Sequence, residues 1–264
     1  MYYDMHTHST FSSDSVMTPE EAVHSAIVRG LAGIAFTDHL DIDYIGYEDA
    51  FMYDFSDYFR MIDRIRDSAG CRLQVLSGVE IGIQPHVIEA TTAKLDGFSF
   101  DFRIGSVHIV NRKDPYLGAP YFQGRSKLEA YREYLEVLLN MLHLYHDFDA
   151  LGHIDFIVRY AAYADNRMYY ADFHELLDEI LRFIIHRQIA LEINTGTYFR
   201  CLPDRALLLR YRELGGELIT LGSDAHDSKD LGRLFQKTAA FIKDCGFSEI
   251  AHYIGRKPHF TKIV

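Results

Sequence analysis

The chain has 264 residues, 48% of them hydrophobic, which is enough to bury one large core and predicts a single α/β domain over 1–264. A formal charge of −11 repels nucleic acid on average, and no basic tail or RNA-binding motif offsets it. No apolar run approaches the roughly 20 residues of a membrane span, no signal-peptide pattern is present, and three cysteines (Cys71, Cys201, Cys245) without pairing or metal-type spacing suit a reduced, cytoplasmic compartment.

The first strand is expected over Met1 to His6, and it runs into Asp4-Met5-His6-Thr7-His8-Ser9. Residues i and i+2 of a strand share a face, so His6 and His8 can present two imidazoles to one point. Thr18-Pro19-Glu20-Glu21 reads as a capped helix start, and Gly30 as the helix stop. Leu31 to Thr37 is a near-continuous apolar strand, as in a parallel sheet buried on both faces, and it ends in Thr37-Asp38-His39. An acidic, tyrosine-rich loop over 40–54 precedes a helix from Phe55 to Ser68. Arg72 to Glu80 is the next strand, followed by a helix around Val87 to Leu95 and a strand from Phe100 to Val107 that leads into His108.

The segment Asn111 to Gly124 is irregular and long, and such loops inside a compact domain are usually functional. A helix from Ser126 to His146 follows. A strand then runs from Ala150 to Asp155 through His153, and a helix from Tyr170 to His186. The strand Ala190 to Asn194, the helix Pro203 to Glu213 and the strand Leu218 to Leu221 lead to Gly222-Ser223-Asp224-Ala225-His226. The last clear helix lies within Leu231 to Cys245.

Strands and helices alternate about seven times, which allows an open doubly wound sheet or a closed barrel. An open sheet gathers its site at one switch point, whereas a barrel draws residues from the C-terminal ends of all its strands. Here nearly every strand ends in a ligand-type residue: His6, His8, His39, Glu80, His108, His153, Asn194, Asp224 and His226. The expectation is therefore a distorted, seven-stranded, TIM-like (β/α) barrel. Its mixture of imidazole and carboxylate suits zinc, iron(II) or manganese(II).

His6-Thr7-His8, Thr37-Asp38-His39, Gly78-Val79-Glu80, Ser106-Val107-His108, Gly152-His153 and Ser223-Asp224-Ala225-His226 resemble, in order, the motifs of the polymerase and histidinol phosphatase (PHP) superfamily. The resemblance covers nearly the whole chain. It implies a distorted seven-stranded barrel carrying two to three divalent metal ions. It also implies three ligand groups: His6, His8, Glu80 and Asp224; Glu80 as a bridge with His108 and His153; and His39 and His226 with Asp14. Asp14 has a rival reading as a turn residue in Ser12-Ser13-Asp14-Ser15. Asp38, beside a ligand, is expected to orient an imidazole rather than bind metal.

Phe11-Ser12-Ser13-Asp14-Ser15, Gly124-Arg125-Ser126-Lys127, and Gly152-His153-Ile154-Asp155-Phe156 with Arg159 beyond it resemble the histidinol-phosphate phosphatase subgroup. The implied reaction is hydrolysis of L-histidinol phosphate by a hydroxide bridging two metals, with Glu80 as the bridge and Asp224 or His226 as proton donors. Arg159 and Arg200, just past ligand-bearing strands, are candidate phosphate binders. The alternative is that they are surface arginines paired with Asp165 or Asp204. The implied partner is a small-molecule phosphate monoester, with no nucleic acid and no membrane, and the sequence leaves the oligomeric state open. Two alternatives remain at this point: another PHP phosphoesterase acting on nucleotides or short oligonucleotides, and a metal-sequestering scaffold that has lost catalysis.

Overall fold

A computed structural model describes residues 1–47, 49–196 and 203–264. In chain order the elements are β1 (Tyr3–Thr7), α1 (Pro19–Val28), β2 (Gly33–Phe36), β3 (His39–Leu40), α2 (Phe55–Ala69), β4 (Gln74–Gly82) and α3 (Ile88–Leu95). Then follow β5 (Phe102–Ser106), α4 (Ala119–Phe122), α5 (Lys127–Leu144), β6 (Ala150–Leu151), α6 (Tyr170–His186), β7 (Ala190–Asn194), α7 (Arg205–Glu213), β8 (Ile219–Gly222), α8 (Phe235–Asp244), β9 (Glu249–Ile254) and β10 (Lys257–Lys262). No helix among the described residues is long and apolar enough to cross a membrane.

Local chemistry fixes the helix starts. Thr18 and Ser126 each accept from the backbone N–H three residues on, and Glu21 and Glu129 reach back to their N–H groups, so α1 and α5 begin in reciprocal capping boxes. Asp54 caps α2 through the N–H groups of Ser56 and Asp57.

The strands pair in parallel in the order β1-β2-β4-β5-β6-β7-β8, with β3 extending the β2 line against β4. The ring comes round where β1 meets the end of β8. Asp224 N–H donates to the His6 carbonyl (2.8 Å), and His8 N–H donates to the Ala225 carbonyl (2.9 Å). The buried Asp4 carboxylate adds bonds from Ser223 N–H (2.8 Å) and Gly232 N–H (2.9 Å). The result is the nearly closed seven-stranded barrel expected from the motif order.

Apolar side chains separate into two layers. The larger cluster lies between strands and helices, with Ile34, Phe36, Val75 and Val79 against Tyr58, Ile62, Leu138 and Ile180. A smaller inner cluster joins Met5, Ala35, Leu76, Phe102, Ile104, Ala150 and Ala190 to Ala251 and Tyr253 of β9. The β9–β10 hairpin therefore plugs the barrel end opposite the ligand-bearing strand ends. Met5 belongs to this inner cluster while His6 faces the ligand cluster. Adjacent residues of a regular strand point to opposite faces, and the pairing of β1 with β2 is irregular between Asp4 and Thr7.

Two features differ from the sequence reading. β6 was expected to reach Asp155 but stops at Leu151. Past Gly152, the His153 N–H turns to the Glu192 carboxylate (2.7 Å) instead of a ladder carbonyl, and Phe156 N–H closes a turn on the His153 carbonyl (2.7 Å). The C-terminal hairpin was not expected. Its connection, Gly255-Arg256, has both residues at positive φ (56° and 61°). The strain at Arg256 is met by bonds from its N–H to the Asp101 carbonyl and from its guanidinium to Asp147 and Asp149.

Replacing Asp4 by Ala should orphan the N–H groups of Ser223 and Gly232 at the barrel seam and cost about 1–3 kcal/mol. Chemical denaturation of the metal-stripped protein checks this, and an unchanged midpoint would contradict it.

Candidate metal centre

Nine ligand-type side chains converge at the C-terminal mouth of the barrel, delivered by the ends of β1, β3, β4, β5, β6 and β8 or the turns beyond them. Their decisive property is that ring nitrogens and carboxylate oxygens crowd against one another around one centre. His6 Nε2 and His8 Nε2 are 3.1 Å apart. They lie 3.2 and 3.5 Å from Glu80 Oε2, and 3.5 and 3.3 Å from Asp224 Oδ1. Glu80 Oε1 meets His108 Nε2 at 3.2 Å and His153 Nε2 at 2.9 Å. His39 Nδ1 stands 3.0 Å from Glu80 Oε2, yet neither atom makes a directed hydrogen bond, and both are buried. Such crowding is costly unless a cation fills it.

The outer ring nitrogens show how the rings are held. His6 Nδ1 lies 2.5 Å from Glu192 Oε1, and His108 Nδ1 lies 2.9 Å from Asp41 Oδ1. The Ser12 hydroxyl donates to Asp38 (2.8 Å) and so accepts from His8 Nδ1 (3.1 Å). Each Nδ1 is thereby kept protonated, and each Nε2 presents its lone pair to the centre.

The shifts in proton affinity follow from the same crowding. Burial alone would lower His6, but Glu192, Glu80 and Asp224 raise it well above the ordinary imidazole value. Burial likewise lowers His108, yet Asp41 and Glu80 carry it up to about 10. His8 goes the other way, lowered by burial and by His226 and His39 beside it. Burial would raise Glu80 and Asp224, but the neighbouring His6 holds both carboxyls well below the usual range, with His108 and His39 acting further on Glu80 and Arg159 on Asp224.

Four overlapping sets bring ligand atoms within 4.8 Å of one another: His6-His8-Glu80, His6-His153-Asp224, His39-Glu80-His108 and His8-His39-His226. The sequence reading joined two of its three groups through Glu80 alone; here all are one continuous cluster, in which His6, His8, His39 and Glu80 are each shared. Asp14 Oδ2 sits 3.5 Å from His39 Nε2 and 3.4 Å from His226 Nε2. Burial would raise the Asp14 carboxyl, but those two imidazoles lower it. Asp224 adopts a left-handed backbone conformation (φ 55°), an uncommon state for a non-glycine residue that turns its carboxylate toward the cluster.

Arg159 reaches this cluster and not Asp165. Its guanidinium donates to Asp224 Oδ2 (2.6 Å) and Asn194 Oδ1 (2.7 Å), while Asp165 is taken by Arg167. Arg200 lies outside the described residues. Asp38 acts on an imidazole only at one remove, by fixing the Ser9–Ser12 turn whose hydroxyl holds His8. Glu192 and Asp41 were missed in the sequence. Glu192 precedes Asn194 by two residues and Asp41 follows His39 by two, so same-face spacing was the available signal. Above the cluster opens a cavity of about 330 Å³, walled by Tyr44, Phe51, Asp114, Tyr116, Phe156 and Tyr160.

A family model for the PHP domain matches residues 4–196. The chain is a member of the PHP domain family. This PHP domain is 34% identical to a probable histidinol-phosphatase of Clostridium acetobutylicum over 95% of its own length and 96% of the relative's. It is also 34% identical to the histidinol-phosphatase of Lactococcus lactis, covering 96% of this chain and 95% of that one. The crystal structure of the histidinol phosphate phosphatase from Lactococcus lactis, complexed with zinc, L-histidinol and phosphate, superposes with a TM-score of 0.91 at 33% identity, covering 98% of each chain.

Because Asp14 Oδ2 is shared between His39 and His226, removing it should loosen only the outer edge of the cluster. Asp14→Ala should lower bound metal by about one ion per chain and leave the fold intact. Elemental analysis of the variant checks this, and unchanged metal content would make Asp14 a turn residue only.

Proposed function

We propose that this PHP domain hydrolyses L-histidinol phosphate to L-histidinol and phosphate, and that residues 1–264 act as one catalytic domain. The observation that carries the reading is the near full-length likeness to a phosphatase whose crystal structure holds zinc, L-histidinol and phosphate, together with a cluster of imidazoles and carboxylates at the C-terminal mouth of the barrel. The partner is a small phosphate monoester.

Two to three divalent ions, zinc, iron or manganese, fit the donor set. His6, His8, His39, His108, His153, Glu80 and Asp224 would hold them, with Asp14 and His226 at the outer edge. Bound there, the ions supply a water of lowered pKa and positive charge to offset the phosphate. Everything else falls to the chain. Glu80, fully buried and facing five imidazoles, would keep the cations together. Glu192, Asp41 and Ser12 hold the rings in position.

Arg159 would meet a phosphate oxygen beside the cluster, and its Nε has no hydrogen-bond partner among the described residues. Its fork suits two such oxygens. Asp224 is ionised, and its Oδ2 faces Arg159, hence the phosphate. Asp224 and His226 lie nearest as proton carriers: one proton leaves the attacking water and one reaches the leaving alkoxide, so that water and ester become alcohol and phosphate with protons balanced.

The test is a panel of phosphate monoesters and a short oligonucleotide offered to metal-loaded protein. L-histidinol phosphate should exceed the others in kcat/KM by about tenfold or more, and preference for the oligonucleotide or for any simple ester would overturn the reading. Arg159→Met should lower kcat/KM for L-histidinol phosphate by about ten- to a thousandfold with metal content unchanged. Wild-type kcat/KM in that variant would make the arginine a bystander.

A further inference from the structure

The other buried acids of the cavity are spoken for: Asp41, Glu80 and Asp224 all face imidazoles, and Asp224 also faces Arg159. Asp114 is different. It is only 4% exposed and lines the same cavity, yet pairs with no Lys, Arg or His among the described residues. Its carboxylate accepts one hydrogen bond at each oxygen, from Tyr44 OH (2.9 Å) and from Tyr116 N–H (2.8 Å). A carboxylate has about four lone-pair sites, so half of its accepting capacity remains open. Asp114 lies on the 111–124 segment and Tyr44 on the 41–54 segment. The two long loops of the barrel mouth therefore meet at this one anion.

The surroundings suit an organic cation. Tyr44 packs on Phe51 with ring centroids 4.8 Å apart, Tyr116 on Tyr160 at 5.2 Å, and Phe156 on Tyr160 at 5.1 Å. Phe51 and Phe156 in turn abut the ligand histidines His39 and His108 at 5.3 and 5.2 Å. The cavity thus passes from a cation-seeking floor to an aromatic collar interrupted by a single unpaired carboxylate. Aromatic faces accept ammonium groups and flat heterocycles.

L-histidinol phosphate carries an ammonium group on the carbon next to its phosphate-bearing CH₂, so an acid that receives it must sit beside the cluster rather than out at the rim. Building on the phosphatase reading above, we propose that Asp114 binds the α-ammonium group of the substrate, while the collar of Tyr44, Phe51, Tyr116, Phe156 and Tyr160 encloses its imidazole. Asp114 is then the residue that selects an amino-alcohol phosphate over a plain phosphate monoester, and Tyr44 fixes its carboxylate between the two loops.

Asp114→Asn keeps the shape, and it keeps an oxygen for the Tyr116 N–H, but removes the charge. The variant and the wild type, both metal-loaded, are assayed on L-histidinol phosphate and on imidazolylpropyl phosphate, which lacks the ammonium group. Binding of L-histidinol is measured by calorimetry alongside. The variant should lose about ten- to a hundredfold in kcat/KM on L-histidinol phosphate, chiefly through KM, and should stay within about twofold on the analogue. L-histidinol affinity should fall by the same factor as kcat/KM. Equal losses on both substrates would make Asp114 structural, and unchanged L-histidinol affinity would overturn the proposal even if neither ester were turned over. Failure of the wild type on L-histidinol phosphate sinks the phosphatase reading instead, and the calorimetry then still decides the role of Asp114.

Discussion

Glu80 is the residue on which the rest of this molecule depends. It is fully buried on β4, in the middle of the sheet order, and its two oxygens meet imidazoles from four other strand ends. A carboxylate so placed is tolerable only among positive charges. In the metal-free protein the acids around His6, His39 and His108 raise the affinity of all three rings for protons. Divalent ions can replace those protons at the same positions, which links metal affinity to pH through the centre itself.

Around this core lies a second circle of acceptors that is as specific as the first. Glu192 serves His6 with one oxygen and the His153 backbone with the other. Asp41 serves His108. Space is cut close to fit them: a Cβ on Gly82 would land on the Asp41 carboxylate, and one on Gly222 would fall 2.5 Å from Glu192 Oε1. These glycines are therefore part of the centre although they offer it no ligand. Asp41 also lies on the path from the metal cluster to the aromatic collar, so the ring geometry of His108 and the shape of the cavity share one support.

The sequence exposed the ligand set because chemistry and position coincided. His6, His39, Glu80, His108, His153 and Asp224 are all polar residues closing apolar runs, and only a barrel brings the ends of all its strands to one place. The helix starts at Thr18 and Ser126 were equally plain, since their capping residues act within a few positions of themselves. What stayed hidden depended on distant partners. The early end of β6 is decided by Glu192, thirty-nine residues away from His153. The β9–β10 hairpin turns on Gly255-Arg256, a pair that looks unpromising until Asp101, Asp147 and Asp149 are seen to hold it. Glu192 and Asp41 carried a same-face signal, but nothing local distinguishes a carboxylate behind an imidazole from one in a loop.

The barrel seam has a bearing on how the protein is made. Asp4 bonds to Ser223 across 219 intervening steps of chain, and His6 faces Asp224 over nearly the same span. The first strand of the barrel is made before either of its neighbours, β2 and β8. Its closing partner, β8, is made only after every other strand of the barrel. Such long-range pairing is slow to form, because chain entropy must be lost before any contact rewards it. His6 and His8 therefore lack Asp224 and His226 until β8 has been made. Full coordination becomes available only with the last βα units, so the order of translation itself delays tight metal capture until the cage that gives it selectivity exists.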